Sequence, residues 1–288
     1  MTLSQLRALL AVVEHGGFTA AADRVGMSQP AVSRSVATLE AELGVPLLTR
    51  CRDGVKLTDV GEIVTRHARE ALRHFDLIHT EVAALAGEVT GTLRLASLPS
   101  ATGTLIASQL RTYRQRHPRV AVRLLEGSDS EVRDWLDQGV VDAGVVTLPA
   151  PGLLTAELDS HEMVALVPSD HRLAAQDVVT YEELAAEPFI RSSGGCARVF
   201  NEVAHEVGVR LDVAFEAREP SAVVEMVGAG LGVSILPTVG LPEQPSDVAI
   251  RTLRPRTVRR LAVAVSASAA PAAKALLEQI AGSRIPVR

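Results

Sequence analysis

The stretch FTAAADRVGMSQPAVSRSVATLEAELGVPLLTR, residues 18–50, decides the fold of the first part of the chain. It contains two short helical patterns separated by Gly26, and the small residues of the first pattern allow close packing on the second. Ser28 is a good N-cap because its hydroxyl can accept a hydrogen bond from an otherwise free amide. Pro30 follows in the first helical turn, where its missing N–H costs little, and the helix continues to a natural stop at Gly44. Two short helices joined by a tight turn predict a helix-turn-helix, a motif whose second helix enters the major groove of DNA.

The exposed start of the second helix offers side chains that can read bases. Gln29 can pair with adenine through two hydrogen bonds, Arg34 with guanine or a phosphate, and Ser33 with either. Residues 47–58 predict a hairpin, the wing of the motif, with its turn at Asp53-Gly54. The hairpin carries three cations, Arg50, Arg52 and Lys56. In an isolated turn such residues are usually only solvated surface charges, but beside a recognition helix they lie where phosphates would pass. The predicted DNA contacts are Thr19, Ser28, Gln29, Pro30, Ser33, Arg34, Arg50, Arg52 and Lys56.

Composition limits the class of protein. The 288 residues are 47% hydrophobic and 22% charged, the balance of a globular chain with two or three compact units. The net charge of −5 does not by itself indicate a nucleic-acid partner, so a basic footprint has to be local. No apolar run approaches the roughly 20 residues of a membrane span, and no secretory leader is recognisable, so we expect a cytoplasmic protein without a membrane partner. Cys51 and Cys196 provide neither a disulfide framework nor a metal-ligand spacing.

Residues 58–87 predict one long helix. The run contains no proline and no break except Gly61, and apolar residues recur from Val60 to Leu85 at steps of mostly three and four. A long helix with one apolar stripe cannot bury that stripe alone. It packs either on its own domain or on a second copy of the chain.

The remainder of the chain alternates strand and helix patterns, starting with a strand at residues 93–96 and ending with a helix at residues 270–280. Such alternation predicts a parallel sheet with crossover helices. Two successive cycles of this kind predict two α/β lobes with a cleft between them. We expect the chain to cross between the lobes near Leu158–Glu162 and again near Ala264–Ala267.

The N-terminal pattern resembles the DNA-binding domain of LysR-type transcriptional regulators. Its spacings run from residue 18 to residue 61, which makes the resemblance far more specific than a single short motif. Leu48 stands where the family usually has an aromatic residue, and it keeps an apolar anchor there. The matching residues are Phe18-Thr19-x-Ala21-Ala22, Ser28-x-Pro30-x-x-Ser33-x-x-Val36-x-x-Leu39-Glu40-x-x-Leu43-Gly44-x-x-Leu47-Leu48-x-Arg50 and Leu57-Thr58-x-x-Gly61.

The second half resembles, more weakly, the effector domain of the same family, which is similar to type 2 periplasmic binding proteins. The matching residues are Arg116-His117-Pro118-x-Val120, Gly139-x-x-Asp142-Ala143-Gly144, Val227-Gly228-Ala229-Gly230-Leu231-Gly232-Val233 and Leu236-Pro237.

The resemblance implies a domain organisation and a set of partners. The partners are double-stranded DNA with a pseudo-palindromic operator, a small-molecule effector and further copies of the chain in a dimer or tetramer, and RNA polymerase is a candidate partner. The implied domains are a winged helix-turn-helix at residues 1–58, a dimerising linker helix at 59–90 and an effector-binding domain at 91–288, with lobe I at 91–160 and 266–288 and lobe II at 161–265.

The effector site is expected where strands end and helices begin, because ligands of open α/β sheets gather there. Helix N-termini favour anions, and Arg191 would add a fixed charge, so the predicted effector is a small anionic metabolite. If Glu126, Asp129 and Glu219 face the cleft, a cationic or zwitterionic ligand becomes the alternative. Each serine or glycine can also be a simple cap or turn. The predicted contacts are Ser100, Ala101, Thr102, Ser128, Thr147, Arg191, Ser192, Ser193, Gly194 and Glu219, of which Ser100, Ser128 and residues 191–195 match pocket positions by resemblance.

Redox sensing by a cysteine, and transport or catalysis by the α/β lobes, are the alternatives to an effector-binding regulator. Cys196 follows two glycines at a predicted helix N-terminus, which would stabilise a thiolate, but no nearby cysteine could resolve a sulfenic acid. A small buried hydrophobe is therefore the favoured role of Cys196. A transport-type binding protein is disfavoured without a leader, and an enzyme is disfavoured without a G-x-S-x-G, phosphate-loop or paired metal-ligand motif. No catalytic residue, metal site or cofactor is predicted.

Overall fold

The computed structural model describes residues 1–51, 54–193, 195–241 and 247–283, except the side chains of Arg50 and His79. One compact unit comprises Met1–Gly87 with Gln138–Val140, and the second comprises the other residues from Glu88 onward. The helices are α1 Leu3–Glu14, α2 Phe18–Val25, α3 Gln29–Leu43, α4 Asp59–Leu85, α5 Pro99–Ala101, which a π-helical segment Thr102–Ile106 joins to α6 Ala107–Arg116, α7 Asp129–Asp137, α8 Tyr181–Ala185, α9 Ala197–Glu206, α10 Pro220–Gly228 and α11 Pro271–Ser283, with a 3₁₀ turn at Arg172–Ala175. The strands are β1 Leu48–Cys51, β2 Gly54–Leu57, β3 Gly91–Ser97, β4 Val120–Glu126, β5 Ala143–Thr147, β6 Leu154–Pro168, β7 Val178–Thr180, β8 Phe189–Ser192, β9 Val213–Ala217, β10 Ser234–Pro237, β11 Val248–Arg254 and β12 Val258–Val265.

The predicted helix-turn-helix is formed by α2 and α3. Gly26 ends α2 in the left-handed conformation with φ 68°, and Gly44 ends α3 in the same way with φ 72°. Ala21 and Ala22 are buried, which lets the backbones of the two helices approach closely. The apolar face of α3 joins the apolar face of α1 in one core, whose largest contributors are Leu6, Leu9, Val12, Val32, Val36 and Leu39.

Ser28 occupies the N-cap position of α3, but its hydroxyl makes no capping bond, so that part of the prediction is wrong. A capping hydroxyl accepts from the second or third helical amide. The second helical residue is Pro30, which has no N–H. The third, Ala31, donates instead to the Ser28 carbonyl oxygen over 2.9 Å. The Ser28 side chain is therefore left exposed for another partner.

The wing is the antiparallel pair of β1 and β2, with Leu48 opposite Leu57. Asp53, at the predicted turn, lies outside the described residues. Glu40 ties the wing to α3, because its Oε1 accepts the amides of Leu47 and Leu48 over 2.7 and 3.1 Å. The position of the wing beside α3 is thus fixed by a carboxylate that the helix itself carries.

The long helix α4 begins where the wing ends. The Thr58 hydroxyl caps it by accepting the Gly61 amide over 3.0 Å. A Cβ at residue 61 would overlap the carbonyl oxygen of Leu47 and touch the side chain of Leu57. The glycine of the Leu57-Thr58-x-x-Gly61 pattern is therefore required by the close approach of helix and wing.

The second unit contains a mixed sheet, not the parallel sheet that the alternation predicted. Among the described strands the order is β4-β3-β5-β12-β6-β11-β7, with β10 also pairing with β6. Strand β3 is parallel to β4 and β5, whereas β12 is antiparallel to β5 and β6. The reason is topological: β6 carries the chain out of lobe I and the adjacent β12 brings it back, so the two strands run in opposite directions.

The predicted lobe boundary at residues 265/266 and the second crossing at Ala264–Ala267 are wrong. Residues Leu261–Val265 already pair with β5, so the chain returns to the sheet of lobe I earlier, near Val258. The predicted first crossing, Leu158–Glu162, lies within β6, which pairs with β12 up to Glu162 and with β10 from Met163. The alternation at the start of β12 indicates which side chains are buried, but not which sheet the strand joins.

Substitution of Gly61 tests the junction of wing and helix. Gly61→Ala should lower the free energy of unfolding of the N-terminal unit by about 1–3 kcal/mol, because the added methyl displaces backbone. The control is Gly282→Ala near the end of α11, where a Cβ meets nothing within 4 Å. That change should be neutral or stabilising by less than about 1 kcal/mol. Denaturant unfolding followed by circular dichroism measures both, and equal effects would contradict this explanation of Gly61.

Candidate DNA-binding surface and interlobe cleft

The start of α3 separates a buried face from an exposed one. Val32 and Val36 point into the core, whereas Gln29, Pro30 and Arg34 are exposed. Arg34 folds back over the first turn, where its Nε donates to the Pro30 carbonyl oxygen over 3.4 Å. This contact is long, and it leaves the guanidinium on the surface.

The other predicted DNA contacts belong to the same unit. Thr19 is exposed at the start of α2, Ser33 is half-buried on α3, and Lys56 is exposed on β2. The backbone of Arg50 lies in β1, but its side chain and the whole of Arg52 lie outside the described residues. The described members combine amide and hydroxyl side chains with cations, a combination suited to base edges and phosphates.

A small cavity lies between the lobes of the second unit. Its volume is about 10 Å³, which is room for no more than one water molecule. Two predicted residues, Ser100 and Ser192, line it. It is also lined by Cys196, Arg218 and Arg259, none of which was predicted as an effector contact.

Arg259 is the buried cation of this cavity, with 1% of its surface exposed. Its Nε donates to the Thr147 hydroxyl over 3.1 Å, and its Nη1 lies 3.5 Å from the Ser100 hydroxyl. Its Nη2 is buried without a hydrogen-bond partner. Burial lowers the pKa of Arg259 from its usual value. The sequence signal for this site was present: alternation along β12 places Arg259 on the same buried face as Leu261 and Val263.

Thr147, another predicted contact, is the centre of a hydrogen-bond network beside the cavity. Its amide donates to Asp129 Oδ1 over 2.6 Å, and its carbonyl oxygen accepts from Arg133 over 2.6 Å and from Arg198 over 3.1 Å. Arg133 also donates to Asp129 Oδ2 over 3.1 Å. Both oxygens of the buried Asp129 carboxylate are therefore engaged by groups of the protein.

The two lobes are in direct contact. Arg218, which follows β9 in lobe II, forms an ion pair of 2.9 Å with Glu131 on α7 in lobe I. The Arg198 contact with the Thr147 carbonyl also joins the lobes. The pKa of Glu131 is held below its usual value, first because the Ser128 amide donates to it and, less strongly, because Arg218 lies near. The shift favours the charged form of Glu131, which the ion pair with Arg218 requires.

Several predicted effector contacts have other roles here. Ser128 caps α7, with its amide on Glu131 and its hydroxyl accepting the Glu131 amide. Arg191, predicted as the fixed charge, pairs with Glu216, the residue directly opposite it on β9. Ala101 is buried, and the Thr102 hydroxyl donates to the Leu98 carbonyl oxygen. The Ser193 amide donates to the Ala217 carbonyl oxygen, and Glu219 is exposed. Gly194 lies outside the described residues.

Cys196 is buried at the start of α9, with 3% of its surface exposed. Burial raises the pKa of its thiol above the usual value, and the nearby Arg259 charge offsets only part of that effect. Across the described ranges no three His, Cys, Asp or Glu side chains are placed to hold a metal ion together. None of the described helices is both long enough and apolar enough to span a bilayer.

Known proteins share both units of this chain. The model of the "LysR substrate binding domain" matches residues 86–283, and that of the "Bacterial regulatory helix-turn-helix protein, lysR family" matches residues 3–62. The chain is 38% identical over 271 residues to the probable HTH-type transcriptional regulator LrrA of Synechococcus elongatus, covering 93% of this chain and 92% of that one. It is 31% identical over 282 residues to a probable hydrogen peroxide-inducible genes activator of Streptomyces viridosporus, covering 95% and 90%.

The fold agrees with this relationship. A full-length variant of OxyR from Pseudomonas aeruginosa matches with a TM-score of 0.75 at 27% identity, covering 97% of this chain and 94% of that one. Sequence motif, domain order and fold all point to one family. The chain belongs to the LysR-type transcriptional regulators, with an N-terminal DNA-binding helix-turn-helix and a C-terminal effector-binding domain.

Proposed function

We propose that this regulator reads a pseudo-palindromic operator through α3 and the wing, and that a small anion bound between its lobes controls that reading. The role is binding and not catalysis, and it is exercised in the cytoplasm, where the operator is. The observation that carries the DNA part is the position of Gln29 and Arg34, both exposed, and of the half-buried Ser33 on a helix whose opposite face packs into the core. A helix held in this way can present base-reading side chains without losing stability.

The charge in the cleft supports an anionic effector over a cationic one. The buried charge that faces the cavity is the Arg259 guanidinium. The carboxylate that could have attracted a cation, Asp129, is engaged by Thr147 and Arg133. Glu126 and Glu219 are exposed, and neither is among the described residues that line the cavity.

Peroxide is the alternative signal, since one relative is named for its response to hydrogen peroxide. Cys196 lies in the cavity near Arg259, which favours a reactive thiolate, but burial dominates and holds the thiol protonated. The chain's other cysteine, Cys51, is on the wing. We therefore propose a bound effector and not thiol oxidation as the signal.

Thiol labelling tests the state of Cys196. In the native protein at neutral pH, Ellman's reagent should react rapidly with one thiol, the exposed Cys51, because Cys196 is buried and protonated. Reactivity of Cys196 should increase only as the pH rises above the usual range of a thiol. In Cys51→Ser the rapid phase should disappear, and rapid labelling of that variant at neutral pH would favour the peroxide alternative.

We propose that α4 joins two copies of the chain. Its apolar stripe lies on the surface, with Ile78 58%, Val82 65% and Leu85 90% exposed. Phe75 and Val60 extend the same stripe. Exposed apolar area of this length favours association, because burial against a second copy removes it from water.

Assembly through the second unit would extend the dimer to a tetramer. Strand β4 ends the large sheet and exposes Leu124 and Leu125, whereas β9 exposes Val213 and Phe215 on the other lobe. The neighbouring helices carry opposite charges: α6 carries Arg111, Arg114 and Arg116, and α9 carries Glu202 and Glu206. Two exposed apolar strands, each accompanied by a helix of opposite charge, can pair between copies.

The operator contacts are tested by Arg34→Ala and Gln29→Ala. Each should weaken binding to the operator by about 1–3 kcal/mol without lowering stability, because each side chain is exposed. Electrophoretic mobility shifts with DNA from upstream of the protein's own gene measure the effect. The matched control is Arg254→Ala, which removes an exposed arginine from β11 and should leave the affinity unchanged. Unchanged affinity in both α3 variants would refute this docking.

The dimer is tested by Ile78→Asp, which places a charge in the middle of the exposed stripe of α4. We expect light scattering at micromolar concentration to show at least a dimer for the wild type and a smaller species for the variant. Arg66→Ala, on a charged side of the same helix, should not change the mass. A wild-type monomer, or a variant of unchanged mass, would exclude assembly through this stripe.

A further inference from the structure

We propose that the effector is a short-chain monocarboxylate, whose carboxylate pairs with Arg259 and whose alkyl end contacts the apolar wall of the cleft. This inference rests on the proposed effector role of the cleft and names the chemical class of the ligand. It follows from three properties of the cavity: an unbalanced charge, a free edge of the guanidinium and a largely apolar wall whose second arginine, Arg218, is already paired with Glu131.

The Arg259 charge is not balanced by the protein. Within the described ranges no carboxylate lies in ion-pair contact with it, although the group is 1% exposed. The Asp129 carboxylate, whose charge acts on Arg259 without an ion-pair contact, already accepts hydrogen bonds on both oxygens. A buried cation is costly unless it is paired and hydrogen-bonded, so an anion that enters the cavity gains more than it would at a surface arginine.

The geometry of the guanidinium selects a planar, two-oxygen anion. Nε is held by the Thr147 hydroxyl over 3.1 Å, which fixes the plane of the group. Nη2 has no partner, and Nη1 has only the 3.5 Å contact with Ser100. The edge formed by Nη1 and Nη2 is therefore the one a carboxylate can occupy through two parallel hydrogen bonds. Ser100, released from Nη1, remains at the cavity wall to donate to the same anion.

The rest of the wall limits the ligand to one charge and a short chain. It is formed largely by Pro99, Pro220, Leu236 and Pro237, which offer apolar contact. The second arginine at the wall, Arg218, is committed to Glu131 across the lobes. Since the cavity measures about 10 Å³, a ligand enters only when the lobes separate slightly. A long chain or a second carboxylate would require breaking the Arg218–Glu131 pair as well.

Calorimetric titration of the full chain with sodium propionate, at constant ionic strength, tests the class. Propionamide has the same shape without the charge and should not bind. Arg259→Gln should weaken propionate binding about tenfold to hundredfold, because it removes a charge-assisted pair. Arg191→Gln is the matched control: it neutralises the arginine paired with Glu216 and should change the affinity less than about twofold.

Other outcomes would overturn the proposal. They are equal binding of propionamide, propionate affinity unchanged in Arg259→Gln, tighter binding of succinate than of propionate, or no propionate binding by the wild type. Arg259→Lys keeps the charge but loses the two-pronged geometry, so it should bind more weakly than the wild type and better than the glutamine variant. Thermal unfolding of every variant, followed by circular dichroism, shows whether the unit that contains Arg259 is folded, because operator binding reports only on the N-terminal unit. A wild type that binds the operator but not propionate refutes the ligand class alone. A wild type that binds no operator refutes the proposed function.

Discussion

The antiparallel pairing of β6 with β12 is the constraint on which the second unit depends. Strand β6 pairs with β12 as far as Glu162 and then with β10 and β11, so one continuous strand belongs to both lobes. Strand β12, which returns the chain to lobe I, also pairs with β5. Because both connections between lobes are strands of one sheet, the lobes can tilt only by bending that sheet. Arg259 lies within this β6–β12 ladder, opposite His161, so the proposed effector would contact one of the two connections between the lobes.

Burial of the Arg259 charge at this crossing has a structural cost. An arginine on the inner face of an apolar strand lacks the solvation of a surface residue, and among the described residues its hydrogen-bond acceptors are the hydroxyls of Thr147 and Ser100. The neighbouring Asp129 carboxylate accepts hydrogen bonds from the Thr147 amide and from Arg133. This arrangement leaves the cation with unsatisfied bonding capacity, which is the property that distinguishes a binding group from a structural ion pair.

In the N-terminal unit, helix α3 contributes to both the core and the predicted DNA-binding surface. The helix supplies core residues from one face and carries the predicted DNA contacts on the other, so the packing of Val32, Val36 and Leu39 holds those predicted contacts in place. The Glu40 carboxylate fixes the wing beside this helix, and Gly61 lets the long helix α4 start against it. The N-cap hydroxyl of Ser28, left without its usual partner by Pro30, stays exposed next to Gln29.

The sequence alone determined the helix-turn-helix, the long helix and the alternation of strands and helices, because these features depend on residues close together in the chain. Caps, left-handed glycines and apolar periodicity act over a few residues, and so they can be read in order. Only the tertiary structure decided the strand directions, the lobe boundary and the members of the cleft. Arg191 was predicted as the cleft cation, but its register opposite Glu216 on β9 turns it into a surface pair. Arg259 lies more than a hundred residues from Thr147 in sequence, and the pairing of β12 with β5 and β6 brings them together. Which side chain faces a cleft depends on strand register across the sheet, and register is set by the packing of the whole unit rather than by any local pattern.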